Sequence, residues 1–268
     1  MSSAGDTAWC TSTPKRTAAD AGHGSGLRSV GTALDVLECF ALDGSLGVSD
    51  IARRLGVAKS TAHRLLQTLA SRGFVEQDVT SGQYRLGIHL YELGQLAQAR
   101  HALRYAALPV IRHVAAQTGL TVNFAVPDGA DTVFVERIEN RDGVRILGHM
   151  GRRYPAHVTS SGKVIAAYNA EFAEARRRAG FPPRASHTVR SVADWDRELE
   201  RVRRRGWAHS HSESFEDSSS VAVAVLRGRV AVASVSVFGP TDDIEPRVEQ
   251  LVPLLVAASH RIARAGSG

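Results

Sequence analysis

Residues 48–69 read V-S-D-I-A-R-R-L-G-V-A-K-S-T-A-H-R-L-L-Q-T-L. Ile51, Leu55 and Val57, followed by Ala62, Leu65 and Leu69, have the apolar spacing of two short helices that share one small core. Ala52 is small where the second helix must cross closely, and Gly56 sits where the joining turn needs a left-handed residue. The pattern predicts a helix-turn-helix, whose second helix lies in the DNA major groove. That helix, predicted over 59–69, carries the donors Lys59, Ser60, Thr61, His63 and Arg64 near its N-terminus. Hydroxyls and free helix amides suit phosphates, and Lys or Arg reaches guanine edges. An ordinary helical hairpin with a solvated face shares this outline. The agreement of several constrained positions, and of the residues directly after Leu69, favours DNA.

Those residues carry a hairpin signal. Phe74-Val75-Glu76-Gln77 and Gln83-Tyr84-Arg85-Leu86 flank a turn through Ser81-Gly82. A hairpin directly behind a recognition helix makes a wing. Gln83 and Arg85 would then face the DNA backbone or minor groove, while Phe74, Val75, Tyr84 and Leu86 pack inward. Upstream, Val30, Leu34, Leu37 and Phe40 predict a first helix over 28–42, with Ser29 as N-cap and with Arg28 and Ser29 able to touch phosphate. Residues 1–26, rich in Ser, Thr, Ala and Gly, read as a disordered tail. The run Gly22-His23-Gly24-Ser25-Gly26 lacks the preceding strand that a phosphate loop requires.

A chain of 268 residues accommodates two domains with proper cores. No apolar run approaches the roughly 20 residues of a membrane span, and the N-terminus does not read as a secretory signal. Cys10 and Cys39 are the only cysteines, which fits a reducing cytoplasm and leaves no cysteine-based zinc site. The net charge of +6 decides little. Lysine occurs only at Lys15, Lys59 and Lys163, an arginine skew typical of a GC-rich genome. The proposed DNA-binding stretch also holds acids such as Asp35, Asp50 and Glu76.

Beyond the wing, 87–116 has helical spacing interrupted at Pro109. The pattern then changes to strands: 121–126, 132–138, 144–147, 221–226 and 230–237. Helices are predicted near 161–167, 171–179, 192–205 and 245–265. An antiparallel sheet flanked by helices places this half in the α+β class.

Read together, the chain resembles the IclR family of bacterial transcriptional regulators. The resemblance rests on V-G-T-A-L-D-V-L-E-C-F-A (30–41), I-A-R-R-L-G-V-A-K-S-T-A-H-R-L-L-Q-T-L (51–69), R-G-F-V-E-Q-D (72–78), Y-R-L-G (84–87), L-Y-E-L-G (90–94), T-S-S-G-K-V (159–164), R-R-R-G-W-A (203–208) and S-V-S-V-F-G-P (234–240). It implies a winged helix-turn-helix over 27–87, a linker helix over 88–103 and a GAF-like effector-binding domain over 104–265. It also implies a homodimer or homotetramer on double-stranded operator DNA, without cofactor or membrane partner, and regulation of transcription, more commonly repression, by a small organic acid.

Carried over residue by residue, the resemblance puts Ser160, Ser161 and Gly162 on the effector pocket's floor, where a helix N-terminus suits a carboxylate. It puts Ile146 and Tyr154 in the apolar wall, Ser220 where cysteine is common and Ser236 at a ligand-contacting serine. Ser210 stands where an aspartate is common, and Phe238 where a small polar residue can occur. These departures point away from a glyoxylate-sized ligand and towards a larger or aromatic acid, with a purely packing role for Phe238 left open.

An enzyme is the competing class. Ser160-Ser161-Gly162-Lys163 satisfies the S-x-x-K spacing of penicillin-recognising hydrolases, but their S-D-N and K-T-G elements do not occur. His209 and His211 share one face of a predicted strand, and two histidines without a third ligand fall short of a zinc site.

Overall fold

The computed structural model of the chain describes residues 27–41, 43–99, 102–139 and 153–266. They form two compact units divided between Gln98 and Ala99. The tail expected over 1–26, the strand expected over 144–147 and the candidate Ile146 lie outside the described residues.

The first unit holds helices α1 (Arg28–Glu38), α2 (Val48–Leu55) and α3 (Lys59–Ser71), strands β1 (Val75–Gln77) and β2 (Tyr84–Leu86), and helix α4 (Ile88–Ala99). Gly56 ends α2 at φ +64° and ψ +31°, the left-handed conformation expected of it. α3 crosses α2 through Ala52 and Ala62, which are buried with Ile51 and Leu66. The wing is an antiparallel pair, and Leu46 adds to it by exchanging both backbone hydrogen bonds with Tyr84.

Four local expectations change. Leu66, one turn beyond Ala62, is the buried leucine of α3, and Leu65 and Leu69 flank it. In α1 the helix turns Val36 inward and leaves Val30 and Leu34 more than half exposed. α1 begins at Arg28, so Ser29 already lies in its first turn and cannot cap it; the capping position is Leu27, with no side-chain bond. Leu86, at the end of the wing, is exposed, whereas Val75 and Tyr84 are buried.

The second unit starts with α5 (Ala102–Thr118), which runs through Pro109 without a break. Pro109 is itself exposed, while Ala107, Val110, Ile111 and Val114 bury the opposite face. Packing of that face outweighs the lost hydrogen bond. Then come β3 (Thr121–Asp128), β4 (Asp131–Ile138), β5 (Arg153–Pro155), α6 (Ser160–Ala167), α7 (Ala170–Ala179), α8 (Val192–Arg205), β6 (Ala208–His211), β7 (Ser218–Arg227) and β8 (Val230–Pro240). One helical turn at Thr241–Ile244 leads to the closing helix α9 (Val248–Ala265).

The strands form one sheet in the order β5-β4-β3-β8-β7-β6, every neighbouring pair antiparallel. Period-two alternation assigns its faces. Val221, Val223 and Val225 of β7, with Val235 and Val237 of β8, pack with Ile111 of α5 and Leu251, Leu255 and Ile262 of α9. Ala222 and Ala224, between those valines, face Val164, Trp195 and Leu199 of α6 and α8. Large residues thus build the core under α5 and α9, and small ones let α6 come close to the other face.

Candidate functional site

In the first unit the polar start of α3 is its notable surface. Lys59, Ser60, Thr61, His63 and Arg64 are all exposed. α3 opens at Ala58 with no side-chain cap, which leaves its first amides for an outside acceptor. The neighbouring arginines are engaged: Arg53 pairs with Asp50 at 2.7 Å, and Arg54 pairs with Asp43 at 2.6 Å and donates to the Cys39 carbonyl. No side-chain hydrogen bond or ion pair holds Lys59, His63 or Arg64 among the described residues. Arg28 and Ser29 are exposed at the start of α1. In the wing, Gln83 accepts from Ser45 at 2.7 Å, and Arg85 pairs with Glu76 at 2.5 Å. That exposed pair is worth about 1 kcal/mol or less, so it does not withhold Arg85 from a phosphate.

The second unit carries a cavity between the sheet and the N-terminus of α6. It encloses about 360 Å3 of space between atoms, partly continuous with solvent. Thr159 caps α6 by accepting from the Gly162 amide at 3.0 Å. The next two residues join the helix to the sheet: Ser160 Oγ lies 2.7 Å from Ser220 Oγ, and Ser161 Oγ donates to Ser236 Oγ at 3.1 Å. Ser160, Ser161, Ser220 and Ser236 all line the cavity, as do Tyr154 and Phe238. Phe238 meets Phe215 edge to face with ring centroids 6.4 Å apart. Tyr154, anticipated as plain apolar wall, also brings a hydroxyl: it is buried and has no acceptor for its own hydrogen among the described residues. Burial pushes this phenol's pKa up, against an opposing pull from Arg137 and Arg184.

Two carried-over residues do not line the cavity. Gly162 instead faces the backbone of Ala156, where a Cβ would lie 2.2 Å from the carbonyl oxygen. Ser210 is buried on β6 and turns its hydroxyl towards the Val158 carbonyl at 3.4 Å.

Asn123, Phe134, Arg137, Ser214 and Phe215 line the cavity without having been anticipated. Arg137 was hidden by a β-bulge. Ala125 of β3 faces Phe134 of β4, yet the adjacent Phe124 faces Glu136, so Val135 is an extra residue. Val135 and Glu136 both take the α5 side, where Glu136 pairs with Arg104 at 2.5 Å. Arg137 is thereby returned to the cavity side, three residues after Phe134. Asn123 left a readable trace, a lone amide between Val122 and Phe124 in an apolar strand.

Lys163 is fully buried and points away from Ser160. Its Nζ donates to Glu213 at 2.5 Å and to the His209 carbonyl at 2.9 Å, with Glu198 at 3.6 Å. The S-x-x-K spacing therefore assembles no serine–lysine pair.

His157, just before α6, is fully buried, and its pKa is pushed down to about 4 by desolvation, opposed by its bond to the Pro182 carbonyl. Nε2 lies 3.0 Å from that carbonyl and so carries the hydrogen, while Nδ1 has no partner among the described residues. Protonating Nδ1 would bury a charge and an unaccepted donor. The unfolded imidazole titrates near 6.5, so the fold binds fewer protons between that pH and about 4. Stability present above pH 6.5 should fall by up to about 3 kcal/mol as the pH drops towards 4. In calorimetric scans across this range, His157→Phe should flatten that decline; an unchanged slope would remove His157 as its source.

The model for the IclR helix-turn-helix domain matches residues 29–79, and that for the bacterial transcriptional regulator IclR C-terminal region matches residues 95–264. The glycerol operon regulatory protein of Streptomyces coelicolor is 37% identical over 227 residues, which cover 83% of this chain and 87% of the relative. A crystal structure of an IclR transcriptional regulator from Alicyclobacillus acidocaldarius superposes with a TM-score of 0.79 at 28% identity, covering 90% of this chain and 100% of that one. An IclR homolog from Microbacterium hydrocarbonoxydans, crystallised with 4-hydroxybenzoate, gives a TM-score of 0.76 at 27% identity and covers 89% of this chain and 99% of that one. The chain belongs to the IclR family of bacterial transcriptional regulators, with the family's DNA-binding helix-turn-helix in its first unit and the family's C-terminal domain in its second.

Proposed function

We propose that this regulator is a cytoplasmic, homo-oligomeric repressor, not an enzyme, whose operator affinity is set by a small carboxylic acid bound in the cavity beside α6. The observation that carries the effector half is the cavity's chemistry. Serine hydroxyls and a helix N-terminus line one side, aromatic rings the other, and no carboxylate lines it among the described residues. Such a lining accepts an anion with an apolar body. The relative crystallised with 4-hydroxybenzoate supports the same class. The unpaired donors of α3, with Arg28, Ser29, Gln83 and Arg85, supply the DNA-facing half.

Oligomerisation is supported by apolar surface in the first unit. Ile88, Tyr91 and Leu96 of α4, Val30 and Leu34 of α1 and its capping residue Leu27 are each more than half exposed, apolar surface that a second copy would cover. No helix among the described residues is long and apolar enough to cross a membrane. Regulation would be linkage: an acid that prefers one arrangement of the oligomer shifts the spacing of its two DNA-binding units against the half-sites.

A gel-shift with DNA from upstream of the protein's own gene, repeated at two salt concentrations and with a panel of carboxylic acids, tests both halves. Arg64→Ala should weaken specific binding by about 10- to 100-fold, and Lys59→Ala should lower the salt dependence by about one phosphate contact. Ser161→Phe should keep the shift and lose its response to acid. Wild-type affinity in both α3 variants would remove α3 as the reading helix, and a shift that no acid alters would remove the effector assignment.

A further inference from the structure

The serines at α6 account for one side of the cavity and leave its charged side unassigned. Arg137 is 9% exposed and lines the space, and its Nε donates to Asn123 Oδ1 at 3.0 Å. Its guanidinium lies over the Phe134 ring, 5.6 Å from the centroid. Glu139, partly exposed, pairs with it at 3.7 Å, and the buried guanidinium still lines the cavity. The register sets Arg137, Asn123 and Ser236 directly opposite one another on β4, β3 and β8. A polar row therefore crosses the cavity floor from the guanidinium to the hydroxyl that receives Ser161.

At the arginine end stands Tyr154, whose buried hydroxyl has Arg137 beside it as a donor but no acceptor for its own hydrogen among the described residues. An unmet donor of this kind costs about 1–3 kcal/mol unless something fills it. Phe134 meets Tyr154 edge to face with centroids 5.7 Å apart, and Phe215 meets it at 5.9 Å, so rings flank the space between the two polar ends.

We propose that Arg137 and the Tyr154 hydroxyl form the carboxylate-recognising pole of this cavity, for an aryl carboxylic acid whose ring lies among Phe134, Phe215 and Phe238. This rests on the cavity being the effector site, and it assigns the acid to the β4–β5 end, leaving the α6 serines for a hydroxyl at the ligand's far end. A guanidinium is a planar fork that takes a carboxylate through two donors, and its position over Phe134 fixes the plane of that fork. Asn123 holds Nε, which orients the remaining nitrogens.

The test is isothermal titration calorimetry on the full chain with benzoate, 4-hydroxybenzoate and phenylacetate, each paired with its neutral amide. The wild type should prefer acid to amide by about tenfold or more, as a charge-assisted contact requires. Arg137→Gln should erase that preference while changing amide affinity by less than about twofold, Arg137→Lys should restore part of it, and Tyr154→Phe should cost the acid several-fold more than the amide. Ser161→Phe, which fills the other end, should abolish binding of both.

An acid-to-amide ratio that survives both Arg137→Gln and Tyr154→Phe overturns the proposal and leaves the effector site standing. If Arg137→Gln loses both ligands through misfolding, the ratios in Tyr154→Phe and Arg137→Lys decide: a fall in the first supports the pole, and a wild-type ratio in both refutes it. A wild type that binds none of the acids or amides overturns the cavity reading and the pole with it.

Discussion

Gly162→Ala should cost the C-terminal unit at least about 3 kcal/mol, or prevent it from folding. The new methyl carbon would stand 2.2 Å from the Ala156 carbonyl oxygen, 2.5 Å from the Ala156 Cα and 2.6 Å from its carbonyl carbon. These are backbone atoms of the 3-10 turn Ala156–Val158, and all three residues of that turn are buried. No side-chain rotation relieves such a contact, so either α6 or the turn must move. Because α6 also holds Ser160 and Ser161, a partly folded variant should lose its effector response as well. Gly94→Ala is the control: a methyl group there meets nothing within 4 Å, and α4 should gain about 0.5–1 kcal/mol. Denaturant unfolding of the two variants separates the cases. A Gly162→Ala protein within about 1 kcal/mol of wild type would show that the turn yields easily and that this glycine's role lies elsewhere.

Lys163→Met should destabilise by about 3–5 kcal/mol, since it strands the buried Glu213 carboxylate and takes one cation from Glu198. Lys163 and Glu198 are nearly inaccessible, and Glu213 is 9% exposed with its Oε2 unpartnered. Glu198 retains Arg201 and, at 3.6 Å, Arg205, whereas Glu213 keeps no cation that close among the described residues. Burial already raises the Glu213 pKa and Lys163 opposes the rise, so removing the lysine raises it further. A carboxyl whose folded pKa lies above its unfolded value near 4.5 contributes most below that value and loses the contribution as pH rises. The variant's deficit relative to wild type should therefore shrink as pH falls towards 4.5. Adding Glu213→Leu should recover more than half of the loss at neutral pH, because the uncompensated charge leaves with it. If the double variant is as unstable as the single one, the stranded charge is not the cause.

The helix-turn-helix was legible because its signals are local. Two apolar stripes, a glycine in a left-handed turn and a hairpin behind them all sit within about forty residues, and each obeys a short-range rule. The serines at α6 were legible only through the family resemblance, since nothing in T-S-S-G-K-V alone says which strands lie opposite. Arg137 was illegible for a physical reason. Strict alternation from Phe134 puts residue 137 on the far side of β4, and only the extra Val135 reverses it. Gly162 lies off the cavity for a related reason. A glycine beside cavity-facing serines suggests approach by a ligand, but the approaching backbone belongs to Ala156. Lys163 shows the same limit: its spacing from Ser160 satisfies a catalytic motif, and its partners come from 35 to 50 residues downstream.

The bulge in β4 also works as a sign selector. Glu136 and Arg137 are adjacent and opposite in charge, and the bulge decides which enters the cavity and which meets Arg104 on α5. With Val135 and Glu136 sharing one position, the arginine is inside. The same residues in a regular strand would present Glu136 to the cavity and turn Arg137 towards Arg104, whereas deleting Val135 would restore plain alternation and leave Arg137 where it is. The charge this cavity presents is thus carried by backbone register as well as by side-chain identity, so ironing out one bulge would reverse it with no substitution in the lining.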